Sequence, residues 1–159
     1  MSNNKIAGCR VLVVEDEILI AMIVEDVLRA LGCQIVGPVA SVDKALKLAL
    51  EETFDAALLD ITIRGGKVYP VADVLLARGI PFVFASGYGD WALPETLRDQ
   101  PRLTKPFTDA QLEEQIISLC NAAKTGWIQT LDEARRAKRP GVSSEPPPDE
   151  VVRGVEVKM

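Results

Sequence analysis

The sequence predicts an α/β fold, a doubly wound parallel sheet of five strands, each followed by a helix. Three observations carry this. Short apolar runs alternate five times with amphipathic segments, the signature of βαβ units. Several runs are apolar at every position, as strands covered on both faces must be. And the chemistry-bearing residues Glu15, Asp16, Asp60, Ser86 and Lys105 fall just beyond those runs. In an open parallel sheet the C-terminal strand ends form one crevice, where ligands collect.

The elements follow in order. Val11–Val14 is the first strand, and the helix after it sets Ile20, Ile23, Val24, Val27, Leu28 and Leu31 on one inward stripe, with Gly32 placed to end it. Gln34–Gly37 is a weaker second strand. Ser41 caps a helix that turns Val42, Ala45, Leu46 and Ala49 inward. Ala56–Leu59 is the third strand, followed by a loop containing Gly65-Gly66 and a helix over about 70–77. Pro81–Ala85 is the fourth. Pro94 spoils a helix over 91–99, which predicts a short or displaced element there. Arg102–Thr104 leads to Lys105. Thr108 and Gln111 form a capping box for a last helix burying Leu112, Ile116, Leu119, Cys120 and Ala123, and Gly126 follows its end.

The domain reading is therefore an N-terminal tail over 1–8, a body over 9–124 and a C-terminal extension over 125–159. In the extension, Thr130 and Glu133 cap a short helix, Pro146-Pro147-Pro148 marks an extended linker, and Val155, Val157 and Met159 alternate like a strand.

Bulk properties narrow the function. The 159 residues are 48% hydrophobic and 26% charged, ample for a core. The net charge is −5, and since the charges of the extension cancel, the body carries it. An acidic body argues against nucleic acid, which needs clustered cations. The run Arg135-Arg136-Ala137-Lys138-Arg139 reads as a solvated helix face rather than a DNA-binding element. No apolar run reaches ~20 residues and the N-terminus lacks a signal-peptide core, which predicts a cytoplasmic protein without a membrane partner. Cys9, Cys33 and Cys120, odd in number and scattered, read as buried reduced thiols. The absence of histidine excludes a His-ligated metal and a histidine base.

A helix start explains either Glu15 or Asp16 alone. It does not explain why Asp60, from another strand, should enter the same crevice. Three carboxylates there repel and call for a cation. Ligation by oxygen alone favours Mg²⁺ as cofactor, with Asp16 the direct ligand and Glu15 acting through water. Asp60 is the nucleophile candidate, because a carboxylate closing an apolar strand is costly unless used or paired. Phosphoryl transfer is mostly positioning plus cations, so Mg²⁺, Lys105 and Ser86 would each take one phosphoryl oxygen. Lys-Pro after a strand predicts a turn that aims the lysine inward, with a cis peptide as one route. Asp60 and Ser86 lie 26 residues apart, Ser86 and Lys105 19, each about one crossover.

Val-Val-Glu-Asp-Glu at 13–17, Leu-Leu-Asp at 58–60, Ala-Ser-Gly at 85–87 and Thr-Lys-Pro-Phe at 104–107 resemble the receiver domains of two-component response regulators, over about residues 9–124. The resemblance implies the CheY-like, flavodoxin-type strand order 2-1-3-4-5. It implies Mg²⁺-dependent phosphorylation of Asp60 by a sensor histidine kinase, and Thr62 as a metal ligand through its backbone carbonyl. The stretch from Pro81 to Gly89, with its Phe-Ala-Ser-Gly-Tyr core, is similar to a subgroup common as stand-alone, single-domain regulators. Such a chain is a phosphoacceptor without a separate enzymatic output, signalling to a downstream protein target.

Tyr88, two residues beyond Ser86, is expected to shield the acyl phosphate. One departure stands out: Arg102 occupies the position where receivers usually carry a switch Tyr or Phe, and Phe84, Tyr88 and Trp91 are open alternatives. A haloacid-dehalogenase-like phosphatase uses similar parts, but its nucleophile lies on the first strand with a second Asp two residues on; here that position is Thr62. Finally, Trp91, Ile117, Trp127, Ile128 and Leu131 are left over once the helix stripes are assigned inward, and they predict a homodimer that uses the extension.

Overall fold

Strands β1 (Arg10–Val14), β2 (Gln34–Val39), β3 (Ala56–Asp60), β6 (Phe82–Ser86) and β7 (Arg102–Thr104) form one parallel sheet in the computed structural model of the chain. The structure describes residues 6–87 and 92–138, the last thirteen by backbone only. The spatial order is β2-β1-β3-β6-β7. A two-stranded hairpin, β4 (Thr62–Ile63) with β5 (Gly66–Lys67), intervenes in sequence. With the hairpin set aside, the order is the 2-1-3-4-5 pattern expected from the sequence.

Alternation along each strand sorts the core into two layers. Leu12, Val14, Val36, Ala57, Leu59, Phe82 and Phe84 face one side, against α2 (Val42–Glu51) and α3 (Tyr69–Arg78). Val11, Val13, Ala56, Leu58, Val83, Ala85 and Leu103 face the other, against α1 (Ile18–Ala30) and α4 (Asp109–Lys138). Both faces of β3 and β6 are covered, so these strands are buried at every residue and their apolar runs are the direct consequence. Ile6, just ahead of the body as read from the sequence, is buried in the second layer.

Local signals formed the caps they predict. Ser41 Oγ accepts from the Lys44 amide at 3.3 Å. Thr108 Oγ1 accepts from the Gln111 amide at 3.0 Å while Gln111 Oε1 accepts from the Thr108 amide at 2.9 Å, a closed capping box. Among the described residues between β6 and β7, the chain makes a 3-10 turn, Glu95–Leu97, with Pro94 just before it. The Lys105–Pro106 peptide is cis, as is Gly37–Pro38.

Four features differ from the sequence reading. First, α1 rests on Ala21, Val24, Val27 and Leu28, so that Ile23 is 46% exposed rather than inward. It joins Ile18, Leu19 and Met22 on the outer face. Second, the loop after β3 folds back on itself: Val68 N–H donates to Ile61 C=O at 2.8 Å, and Gly65 and Gly66 take φ of +92° and +123°, which side chains disfavour.

Third, Gly126 does not end the last helix, and a separate short helix from Thr130 is replaced by continuous helix to Lys138. A single glycine costs only ~1 kcal/mol within a helix, and the neighbouring turns carry it. Fourth, Cys9 and Cys120 are joined by a disulfide, with Cα atoms 6.2 Å apart; only Cys33 is a free thiol. Pairing the first strand with the last helix brings together two cysteines that are remote in sequence.

Contacts divide the chain into Met1–Ala123 and Lys124–Met159. In the second unit the described residues are helical through Lys138. The linker at Pro146–Pro148 and the alternating Val155, Val157 and Met159 lie outside the described residues. Among the described residues, no helix is long and apolar enough to cross a membrane.

Candidate functional site

Four strand ends meet at one crevice. Glu15 and Asp16 follow β1, held there by a hydrogen bond from Glu15 N–H to Val39 C=O at 2.9 Å. Asp60 closes β3, and Ser86 closes β6. The Lys105 N–H donates to Ser86 C=O at 2.8 Å, which extends the β6–β7 ladder by one residue and delivers the lysine to the same edge. The crevice has a volume of about 350 Å³ and is lined by Asp16, Glu17, Asp60, Thr62, Gly87 and Lys105.

Glu15, Asp60 and Ser86 are the buried polar residues among the described ones. One carboxylate oxygen from each of Glu15, Asp16 and Asp60 lies within 4.8 Å of the others. The Lys105 ammonium is a counter-charge shared by Glu15, Asp60 and Glu17: Nζ is 3.1 Å from Asp60 Oδ2, 3.0 Å from Glu15 Oε1 and 4.0 Å from Glu17 Oε1. The second Glu15 oxygen accepts from the Glu17 amide at 3.0 Å.

One cation among these acids is not enough to keep Asp60 an ordinary carboxylate. Burial, reinforced by the charge and hydrogen bond of Glu15, pushes its pKa up to about 7, against the pull of Lys105. For Lys105 burial works against the charge, but the hydrogen bond to Glu15 and the charges of Asp60 and Glu15 outweigh it and raise its pKa. The crevice thus holds an excess of negative charge that a further cation would relieve.

Of the predicted site residues it describes, the structure lines the crevice with Asp16, Asp60, Thr62 and Lys105, sets Glu15 against Lys105, and joins Ser86 to Lys105 through the backbone. Thr62 lies at the rim on β4, where its Oγ1 accepts from Lys67 Nζ at 2.8 Å. Tyr88 and Trp91 lie outside the described residues. Phe84, an open alternative for the switch aromatic, is fully buried with its ring edge against Phe82, centroids 5.3 Å apart. Sequence reasoning did not assign Glu17 or Gly87 to the crevice; the acidic run Glu15-Asp16-Glu17 was the available signal for the first. It also did not foresee the ion pair between Glu15 and Lys105, which joins residues 90 positions apart.

A parallel five-stranded sheet in the order 2-1-3-4-5, with an acidic crevice at its strand ends, defines a CheY-like α/β domain. SdrG from Sphingomonas melonis Fr1, solved in solution, is 45% identical in sequence, with a TM-score of 0.63, and the match covers 70% of this chain and 96% of that one. A BeF3-activated conformation of SdrG also matches, with a TM-score of 0.58. A response regulator receiver protein from Sinorhizobium medicae is 27% identical with a TM-score of 0.63, over 73% of this chain and 97% of that one.

The chain belongs to the receiver-domain family of two-component response regulators. Among curated proteins, the transcriptional regulatory protein PdtaR of Mycobacterium tuberculosis is 31% identical over 107 residues, 65% of this chain and 52% of PdtaR. The chain spans about half the length of the curated relatives it matches. No protein-family model matches it.

Proposed function

We propose that the receiver body, residues 9–124, accepts a phosphoryl group on Asp60 from a sensor histidine kinase, with Mg²⁺ as cofactor. The observation that supports this most directly is Asp60 itself: buried at the end of an apolar strand, grouped with two further carboxylates and 3.1 Å from a lysine ammonium. An Asp60 carboxylate oxygen attacks phosphorus; the new O–P bond forms as the P–N bond to the donor imidazole breaks, leaving the electron pair on that nitrogen. Lys105 faces one phosphoryl oxygen and Ser86 another, placing charge and a hydrogen bond where negative charge collects. That a BeF3-activated state exists for SdrG accords with this reading.

The donor set fits a hard divalent cation: oxygen ligands only, with an unrelieved negative charge. Asp16, Asp60 and the backbone carbonyl of Thr62 would hold Mg²⁺, with Glu15 acting through water. Bound there, the ion supplies positive charge to the phosphoryl oxygens. Because Glu15 is already engaged by Lys105 and the Glu17 amide, Asp16→Ala should weaken Mg²⁺ binding well beyond the roughly tenfold expected of an outer-sphere loss at Glu15→Ala. A metal titration reads the two variants, and equal losses would remove the distinction.

Incubation with a small phosphodonor and Mg²⁺ tests the reading as a whole. Mass spectrometry should show one stable phosphoryl group per chain. Continuous release of phosphate from added phosphate esters would favour a phosphatase instead. In this proposal the protein is cytoplasmic and a phosphoacceptor rather than an enzyme, Tyr88 shields the acyl phosphate, and output passes to a downstream protein.

Homodimerisation is proposed on Trp127, Ile128 and Leu131 of the extension, whose side chains lie outside the description. Ile117, counted with them from the sequence, packs against the second core layer instead. Light scattering of the full chain should give twice the monomer mass; a monomer would end the proposal.

A further inference from the structure

At the end of the sheet opposite Asp60 the chain gathers its three cysteines. Cys9 immediately precedes β1, and Cys120 lies on α4, 111 positions later. Cys33 immediately precedes β2, whose Gln34 pairs with Arg10 and donates its N–H to Cys9 C=O at 2.9 Å. All three belong to the same apolar layer. Core packing alone asks only for small apolar side chains here. The bond between Cys9 and Cys120 does something more specific: it closes a covalent loop around every described strand and the first three helices, and fastens α4 to the first strand. Its helical anchor is three residues short of Ala123, where the first unit ends by contact.

We propose that Cys9 and Cys120 form a reversible redox clasp on α4, a role beyond phosphoryl acceptance. In cytosolic proteins, where thiols are normally kept reduced, a disulfide is usually a transient, redox-sensing bond. Closing is thiol–disulfide exchange with a small disulfide of the glutathione class. The two protein thiols lose two electrons, and the S–S bond of the oxidant is cleaved. One S–S bond forms in the protein, and the two protons leave on the two released glutathione thiols.

Cys33 is a bystander. Burial pushes its thiol up to about 11, so at neutral pH it is protonated and a poor nucleophile. Both clasp sulfurs are buried as well, so exchange waits on opening of the α4–β1 contact and is slow. Glu15 is six residues from Cys9 along β1, about 20 Å at strand rise. The clasp therefore controls the stability of the body and leaves the phosphoryl site intact.

The test is an equilibration of the full chain in glutathione buffers of graded ratio, followed by denaturation, alkylation and mass spectrometry. Oxidising buffers should leave one alkylated cysteine, Cys33, and reducing buffers three, with a midpoint between. The oxidised form should melt higher by on the order of 10 °C, the gain expected from closing a loop of this length. Cys33→Ser should keep both the midpoint and the shift, and Cys120→Ser should melt at one temperature in all buffers. Phosphoryl uptake should be the same in both forms of the natural sequence. Three alkylated cysteines at every ratio, a crosslink that persists at every ratio, or a clasp that leaves the melting temperature unchanged would each overturn the proposal.

Discussion

Asp60→Asn should abolish phosphoryl uptake and, without Mg²⁺, make the protein more stable at pH 8. The two effects share one cause. Burial and Glu15 hold the Asp60 pKa at about 7, above its ordinary 3.8. Between those values the folded state keeps a proton that the unfolded state releases, so stability falls as pH rises from about 4 to about 7, then levels. At full ionisation the gap corresponds to about 4 kcal/mol, an upper figure, since Lys105 also loses a charged partner on substitution. Urea denaturation should therefore favour the Asn variant by about 2–4 kcal/mol at pH 8, with a smaller advantage at pH 5. Undiminished labelling of the variant would show that another residue accepts the phosphoryl group. Wild-type stability that does not change between pH 5 and pH 8 would show that Asp60 is an ordinary carboxylate. A carboxylate kept at such a cost is the expected signature of a group retained for its chemistry.

Lys105→Met should have the next largest effect, in the opposite sense. It leaves Glu15 and Asp60 facing each other without the ammonium 3.0 and 3.1 Å away. Removing one member of a buried pair strands the other, and with the lysine partly in contact with solvent we expect a loss of about 2–3 kcal/mol at pH 8. Lys105 itself stays charged across pH 5–8, because its folded pKa is raised. The pH dependence of the loss therefore comes from Asp60, whose pKa rises further once the cation is gone. The loss should shrink towards pH 5, where Asp60 is protonated in both proteins. Phosphoryl uptake should fall by on the order of 10²-fold, the scale of losing one group that stabilises developing charge. Mg²⁺ should bind more tightly, since the lysine no longer competes with it for the carboxylates. Unchanged uptake would remove Lys105 from the phosphoryl-binding role.

The surface next to this site shows where pattern-reading meets its limit. Periodicity put Ile20, Ile23 and Val24 on one inward stripe of the first helix, yet Ile18 and Leu19 are each 74% exposed and Ile23 stands with them. An apolar helix with more hydrophobic positions than one face can use does not by itself say which face will be buried. That is settled by how the whole helix packs on the sheet, where Ala21, Val24, Val27 and Leu28 are the residues buried.

The sequence by itself determined the parts whose causes are local. The five strands were legible because β3 and β6, buried on both faces, had to be apolar throughout, and the caps at Ser41 and Thr108 because capping joins residues three apart. The crevice was legible because parallel strands must end on one side, so residues after separate runs meet whatever the details of packing. Only the tertiary structure decided the pairings between distant segments: Lys105 with Glu15, Cys9 with Cys120, and the fold-back of Ile61 through Val68 after β3. Each of these rests on a few ångström of approach between elements. That distance is set by the side chains filling the whole layer between them, and no short window of sequence contains it.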